Sequence, residues 1–172
     1  MRLRELEAKD AILMLEWMHD PSVVENLNAN FNEKTIDDCL NFIEKSKKDK
    51  NNCHLAIVDE NDKYMGTVSL KNITRKDAEF AITIRKSAMS KGYSKYGMQE
   101  IIKYGLHVLG LKYVYWCVSP NNKRAVKFYD KNGYKRDNIK NYDFFESIKD
   151  SGGYCIDQIE SFIWYVATND TL

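Results

Sequence analysis

AMSKGYSKYGMQEII, residues 88–102, begins as a loop of small and basic residues and ends as an amphipathic helix. Gly92 stands at the junction, with no proline and no acidic residue beside it. A helix start leaves several main-chain amides unpaired, and the aligned peptide dipoles add about half a positive charge there. Acidic residues usually answer that charge. Here Lys91 and Lys95 add to it instead. The stretch therefore reads as a place where negative charge arrives with a ligand, a phosphate or diphosphate held by main-chain N–H groups. Gly92 permits the tight turn and close approach such a ligand needs. The spacing is neither GxxxxGK[ST] nor GxGxxG, so neither of those nucleotide loops applies. Taken alone, the stretch fits a plain glycine turn with solvated lysines equally well.

Outward from it, the pattern predicts a mixed α/β layout. AEFAITIR (78–85) precedes the loop and reads as a strand. The helix after it carries apolar residues at 98, 101, 102, 106 and 109. LKYVYWCV (111–118) is apolar almost throughout, which predicts a strand covered on both faces. Upstream, CHLAIVD (53–59) and KYMGTVSLKNI (63–73) are separated by a short turn, a hairpin signal. RLREL (2–6) alternates as a first strand, and AILMLEWM (11–18) carries a helical apolar stripe that His19-Asp20-Pro21 ends. Residues 22–34 read as loop with a short helix, and Thr35 to Asp38 as a capping box opening the next helix. Strands near 134–139 and 158–166 are expected to complete a mostly antiparallel central sheet flanked by helices.

Composition narrows the classes. The chain has 172 residues, with no repeats and no Pro/Gly linker, which predicts a single domain over 1–172. A net charge of +1 argues against a nucleic-acid partner, and the basic run 45–50 reads as a solvated helix end. Cys39, Cys53, Cys117 and Cys155 are scattered, and the three histidines form no ligand pair. That pattern predicts reduced thiols in a cytoplasmic protein and no metal site. No apolar span is long enough for a membrane helix.

A second stretch, VSPNNKRAVKFYDKNGYKR (118–136), runs from an apolar strand into Ser-Pro-Asn-Asn, a short helix and Lys-Asn-Gly-Tyr. Asn122 is placed to cap that helix, and Gly133 to end it. Together the two stretches resemble the GNAT superfamily of acetyl-CoA-dependent N-acetyltransferases. The family loop, roughly Gln/Arg-x-x-Gly-x-Gly/Ala, corresponds to Met89, Ser90, Lys91, Gly92, Tyr93 and Ser94; the central glycine is kept, and the first and last positions depart. The family's Asn-x-x-Ala, tyrosine and Gly-Phe correspond to Asn122, Ala125, Tyr129 and Gly133-Tyr134.

The resemblance implies acetyl-CoA as acetyl donor, lying in a V-shaped opening between parallel strands 78–85 and 111–118. Its pantetheine arm would pair with main chain near Thr83, Ile84 and Arg85, and its pyrophosphate would rest on the amides of Ser90 to Ser94. Tyr129 matches the family's general acid for the departing thiolate, with Asn122 on the same helix face toward the cofactor. Glu79 matches a frequent family glutamate and is the candidate general base, with His54 and His19 as alternatives. The resemblance further implies a small-molecule amine acceptor recognised near Trp17, His19 and Phe31 and the tail 140–158, and it admits a homodimer. Trp17-Met18-His19-Asp20-Pro21 is similar to the W-x-x-D-P opening of two branches, acting on nucleotide-linked amino sugars and on protein N-termini. The amino sugar is the leading acceptor; the protein N-terminal amine and a non-catalytic acyl-CoA-binding module are the alternatives.

Overall fold

The computed structural model of the chain describes residues 1–27, 29–150 and 153–171. One sheet of six strands runs in sequence order: β1 (Arg2–Glu5), β2 (Cys53–Val58), β3 (Tyr64–Lys71), β4 (Asp77–Ile84), β5 (Tyr113–Val118) and β6 (Ile163–Ala167). Neighbours are antiparallel except β4 and β5, which run parallel. The expected hairpin is β2–β3, and Asp62 in its turn adopts φ 62°.

Among the described residues seven α-helices flank the sheet: α1 (Ala11–Met18), α2 (Pro21–Val24), α3 (Ile36–Ser46), α4 (Tyr93–Lys103), α5 (Lys123–Lys131), α6 (Phe145–Asp150) and α7 (Ile156–Ser161). Local chemistry sets their ends. The Thr35 hydroxyl accepts from Asp38 N–H at 3.2 Å, and the Asp38 carboxylate accepts from Thr35 N–H at 2.9 Å. The Asp20-Pro21 pair that stops α1 also starts α2: Asp20 caps it through Ser22 N–H at 2.9 Å, and Pro21 takes the first helical position. α4 continues into one π-helical turn, Tyr104–Val108, closed by Leu109 N–H to Tyr104 O at 3.0 Å.

The two faces of the sheet bury different helices. Ile57, Val68, Leu70, Phe80, Val114 and Trp116 point to α4 and α5, meeting Met98, Ile101, Ile102 and Tyr129. On the other face, Ala56, Val58 and Tyr64 meet Met14 and Trp17 of α1 and Ile43 of α3. Tyr115, Trp164 and Val166 meet Ile139, Phe144, Ile148 and Ile159 of the C-terminal part. β5 thus has apolar cover on both faces, as its continuous apolar run requires.

The C-terminal part departs from expectation. Over 134–139 no strand forms; only Arg136 bridges to Tyr165, and Asp137 N–H donates to Trp164 O at 2.9 Å. Asn138 then diverts the chain by accepting from Lys140 N–H at 3.1 Å, which caps the short turn Ile139–Asn141. The strand expected over 158–166 begins only at Ile163, because Ile156–Ser161 is helix, its entry held by Cys155 N–H donating to the Gln158 side chain at 3.0 Å.

Candidate active site

β4 and β5 pair over only three residues each, Asp77–Glu79 against Tyr113–Tyr115. Beyond them the strands part, and a cleft of about 760 Å³ opens between them. Its walls are the far half of β4, Trp116 to Ser119, the loop before α4, α5, and Val23, Asn26 and Leu27 from the end of α2. A smaller hollow of about 540 Å³ beside β6 shares only Phe162 with it.

The parting leaves main-chain groups of β4 without strand partners. Strand polar groups alternate in direction. Arg85 N–H donates to Met65 O at 3.0 Å, toward β3, so the main-chain groups of Arg85 and Thr83 point away from β5, although Thr83 still lines the cleft. Ile82 and Ile84 carry the groups that face β5. Of the expected main-chain partners Thr83, Ile84 and Arg85, Ile84 is the one whose main-chain groups face the opening. The Arg85 side chain has a different role: buried at 5% exposure, it grips both Glu16 carboxylate oxygens at 2.8 and 2.7 Å and donates to Tyr64 O, tying β4 to α1. An arginine fork on a carboxylate is a strong, oriented contact.

The loop behaves as its composition requires. Ser90 and Gly92 both adopt positive φ, 61° and 88°, the left-handed region that glycine enters without penalty. Gly92 caps α4 with no side-chain bond, and the first helical hydrogen bond is Tyr96 N–H to Gly92 O at 3.0 Å. The amides from Ser90 to Lys95 have no acceptor among the described residues, and the first turn holds no acidic side chain. Met89, Ser90, Gly92, Ser94 and Lys95 line the cleft, while Lys91 and Tyr93 stand outside its wall.

α5 faces this loop. Asn122 caps it by accepting from Ala125 N–H at 3.1 Å, and Asn122, Ala125 and Tyr129 all line the cleft. Gly133, at φ 83°, turns the chain after the helix. The Tyr129 ring is held by Trp116 and Tyr165, with centroids 5.5 and 5.1 Å away. Its hydroxyl makes no hydrogen bond among the described residues yet is not sealed from the cleft. Burial pushes the phenol well above its ordinary pKa, and neighbouring Tyr165 and Cys117 add to the shift, so the hydroxyl stays protonated. Beside it, the Trp116 indole N–H is a fully buried donor without an acceptor among the described residues.

Glu79 lines the other side of the split and is 7% exposed. Its carboxylate accepts from Tyr154 O–H at 2.7 Å, pairs with Lys71 at 2.9 Å, and accepts from Asn72 at 3.3 Å. The alternative bases lie elsewhere. His54, on β2, hydrogen-bonds Ser69 at 2.7 Å and packs on Phe42; burial lowers its pKa. His19 hydrogen-bonds Lys34 O at 2.9 Å on the surface. Neither lines the cleft.

The expected acceptor residues are also elsewhere. Trp17 is buried, donates to the Tyr64 hydroxyl at 3.1 Å and meets Phe31 edge-on at 5.1 Å, so both belong to the core under α1. Val23, Asn26 and Leu27 take their place on the cleft wall. From the expected tail, Tyr154 reaches the wall; Phe162 follows just beyond it, and Ser151 and Gly152 lie outside the described residues. Arg124, missed by sequence reasoning, also lines the cleft; a cation on the α5 face toward the loop is the signal that marks it. An elongated ligand with a diphosphate, an amide-bearing arm and a thioester fits this set of donors: free amides, a free strand edge, then a protonated phenol.

Comparison with known proteins agrees with this geometry. The family model described as "Acetyltransferase (GNAT) domain" matches residues 1–135. Acetyltransferase PseH of Campylobacter jejuni is 24% identical over 130 residues, 76% of this chain and 80% of that protein. The structure of spermidine N-acetyltransferase from Vibrio cholerae with CoA and spermine superposes with a TM-score of 0.77 at 17% identity, covering 99% of this chain and 96% of that one. A GNAT-family acetyltransferase from Bacillus anthracis gives 0.73 at 19% identity, over 98% and 94% of the two chains. With the matched domain spanning most of the chain and the split sheet, amide-lined loop and cleft tyrosine all in place, this protein belongs to the GNAT acetyltransferase family, whose acetyl donor is acetyl-CoA.

Proposed function

We propose that this enzyme acetylates the primary amine of a small amino sugar, free or nucleotide-linked. The observation that carries the proposal is the charge of the acceptor side of the cleft. Glu79 is the only carboxylate among the described residues lining it, and Lys71 pairs with that carboxylate at 2.9 Å. A polyamine would bring two or more ammonium groups to a wall with no free counter-charge, and leaving such charges unpaired is costly. An amino sugar brings a single amine, and its uncharged ring meets the apolar Val23 and Leu27, the Asn26 amide and the Tyr154 and Phe162 rings.

The chemistry follows from the residues. When bound, acetyl-CoA supplies an activated acetyl thioester. The amides from Ser90 to Lys95 and the α4 dipole hold the diphosphate. Main-chain groups of Ile82 and Ile84 hold the arm. Glu79 accepts the proton the amine must lose, and Tyr129 donates to the departing sulfur.

An acceptor screen tests this reading. Nucleotide-linked and free amino sugars, spermidine and short peptides are each mixed with enzyme and acetyl-CoA, and products are weighed by mass spectrometry. A sugar gains the mass of one acetyl group and spermidine stays at background. Acetylated spermidine or a peptide N-terminus with silent sugars would overturn the assignment.

A further inference from the structure

We propose that Tyr154 is a catalytic residue: its phenol takes the amine proton and relays it to Glu79. The inference rests on the reading above and deepens it. Glu79 is buried, and its oxygens already receive Tyr154 at 2.7 Å, Lys71 at 2.9 Å and Asn72 at 3.3 Å. An incoming amine therefore finds the carboxylate surrounded by donors. Tyr154 lines the same cleft, and its hydroxyl donates to Glu79 at 2.7 Å, with the Cys117 thiol also in hydrogen-bond contact with it. The phenol oxygen has two lone pairs, so one stays open to accept an N–H even with the Cys117 thiol on the other. The Tyr154 ring is held edge-on to Trp164, with centroids 5.5 Å apart, so the oxygen is positioned by packing.

The step balances. As the amine nitrogen bonds to the acetyl carbon, its proton passes to the Tyr154 oxygen while the Tyr154 hydroxyl proton passes to Glu79. Tyr154 is a neutral phenol before and after. The carbon–sulfur bond breaks with its electron pair on sulfur, which takes the Tyr129 proton. Glu79 then releases its proton to water and Tyr129 regains one, so one proton has moved from nitrogen to sulfur. Burial raises the Tyr154 pKa far above the ordinary phenol value, with Cys117 and Glu79 contributing, which fits a relay that never becomes a free phenolate.

The test compares Tyr154→Phe, Glu79→Gln and the double variant in the full-length protein, using the acceptor with the fastest wild-type turnover in the screen. Tyr154→Phe is expected to lower kcat about 100-fold while the KM for acetyl-CoA stays within about twofold. Glu79→Gln should lose a similar factor, and the double variant no more than the worse single, since both break one relay. Turnover of Tyr154→Phe within about threefold of wild type, or losses that multiply in the double variant, would overturn the relay. A solvent-deuterium proton inventory on the wild type needs no variant to fold: a straight line, one proton in flight, overturns the relay. If the wild type binds acetyl-CoA by calorimetry yet acetylates no amine in the screen, the parent reading has failed and the relay with it. That result differs from an active wild type indifferent to the loss of the Tyr154 hydroxyl.

Discussion

Arg124 lays its guanidinium against Met89, with Nη1 3.3 Å from the sulfur, so that α5 and the loop before α4 touch at the cleft both line. Met89 occupies the loop position where the family pattern has Gln or Arg. A thioether is a weak acceptor, so Arg124 gives up little when it turns to an anion. Arg124→Ala is expected to weaken acetyl-CoA binding about tenfold at low salt, ~1.4 kcal/mol, and by less as salt screens the charge. Calorimetry at two ionic strengths reads this directly; equal affinity at both would remove Arg124 from the site.

Gly92 separates fold from function. A Cβ there would meet only the Met1 side chain, at 3.6 Å, so space is not the constraint; φ 88° and the unpaired amides are. Aspartate tolerates the left-handed region better than most residues and favours a helix N-terminus. Gly92→Asp should therefore keep its melting temperature within a few degrees of wild type, yet lose acetyl-CoA binding by at least 100-fold as like charges meet. Native affinity in calorimetry would refute the diphosphate loop.

Tyr129→Phe removes a hydroxyl that has no hydrogen-bond partner among the described residues. Stability should change by less than about 1 kcal/mol, and kcat should fall by about 10²–10³ with the acetyl-CoA dissociation constant unchanged. Unaltered turnover in steady-state kinetics would exclude it as the acid.

Asp62 predicts the acid limb of the stability curve. Lys9 and Arg4, in that order, hold its carboxyl below the ordinary 3.8, at about 2. A depressed folded pKa means a contribution complete above the unfolded value and lost as pH falls through about 2. Asp62→Asn keeps a side chain that accepts φ 62°. It should melt lower at neutral pH and lose part of the pH dependence below about pH 4. An unchanged acid limb in thermal melts would show that the Arg4–Asp62 network contributes nothing there.

What could be read without the structure was mostly local chemistry. The Thr35 capping box, the β2–β3 hairpin, the Asp-Pro boundary after α1 and the doubly covered β5 follow from neighbours within a few residues. The glycine loop and Asn122-to-Tyr129 helix were legible as motifs. Pairing between distant segments was not. Whether the main-chain groups of Ile82 and Ile84 or of Thr83 and Arg85 face β5 depends on strand parity, set by the Arg85–Met65 contact. Trp17 looks alike as a sugar platform or a core residue until Tyr64 is found beneath its indole. The 134–139 strand failed because Asn138 offers a local turn that sequence alternation does not reveal.

The π-helical turn at Tyr104–Val108 makes the chain tolerant of length change at one place. Such a turn is an α-helix carrying one surplus residue. Deleting a residue there should let the helix close regularly, while the segment up to Lys112 absorbs the shift before β5 begins. Deleting one within β5 would instead invert its faces, exchanging Trp116 with Tyr115 across the sheet. Insertions and deletions that accumulate during divergence should therefore gather at this bulge and spare the strand beside it.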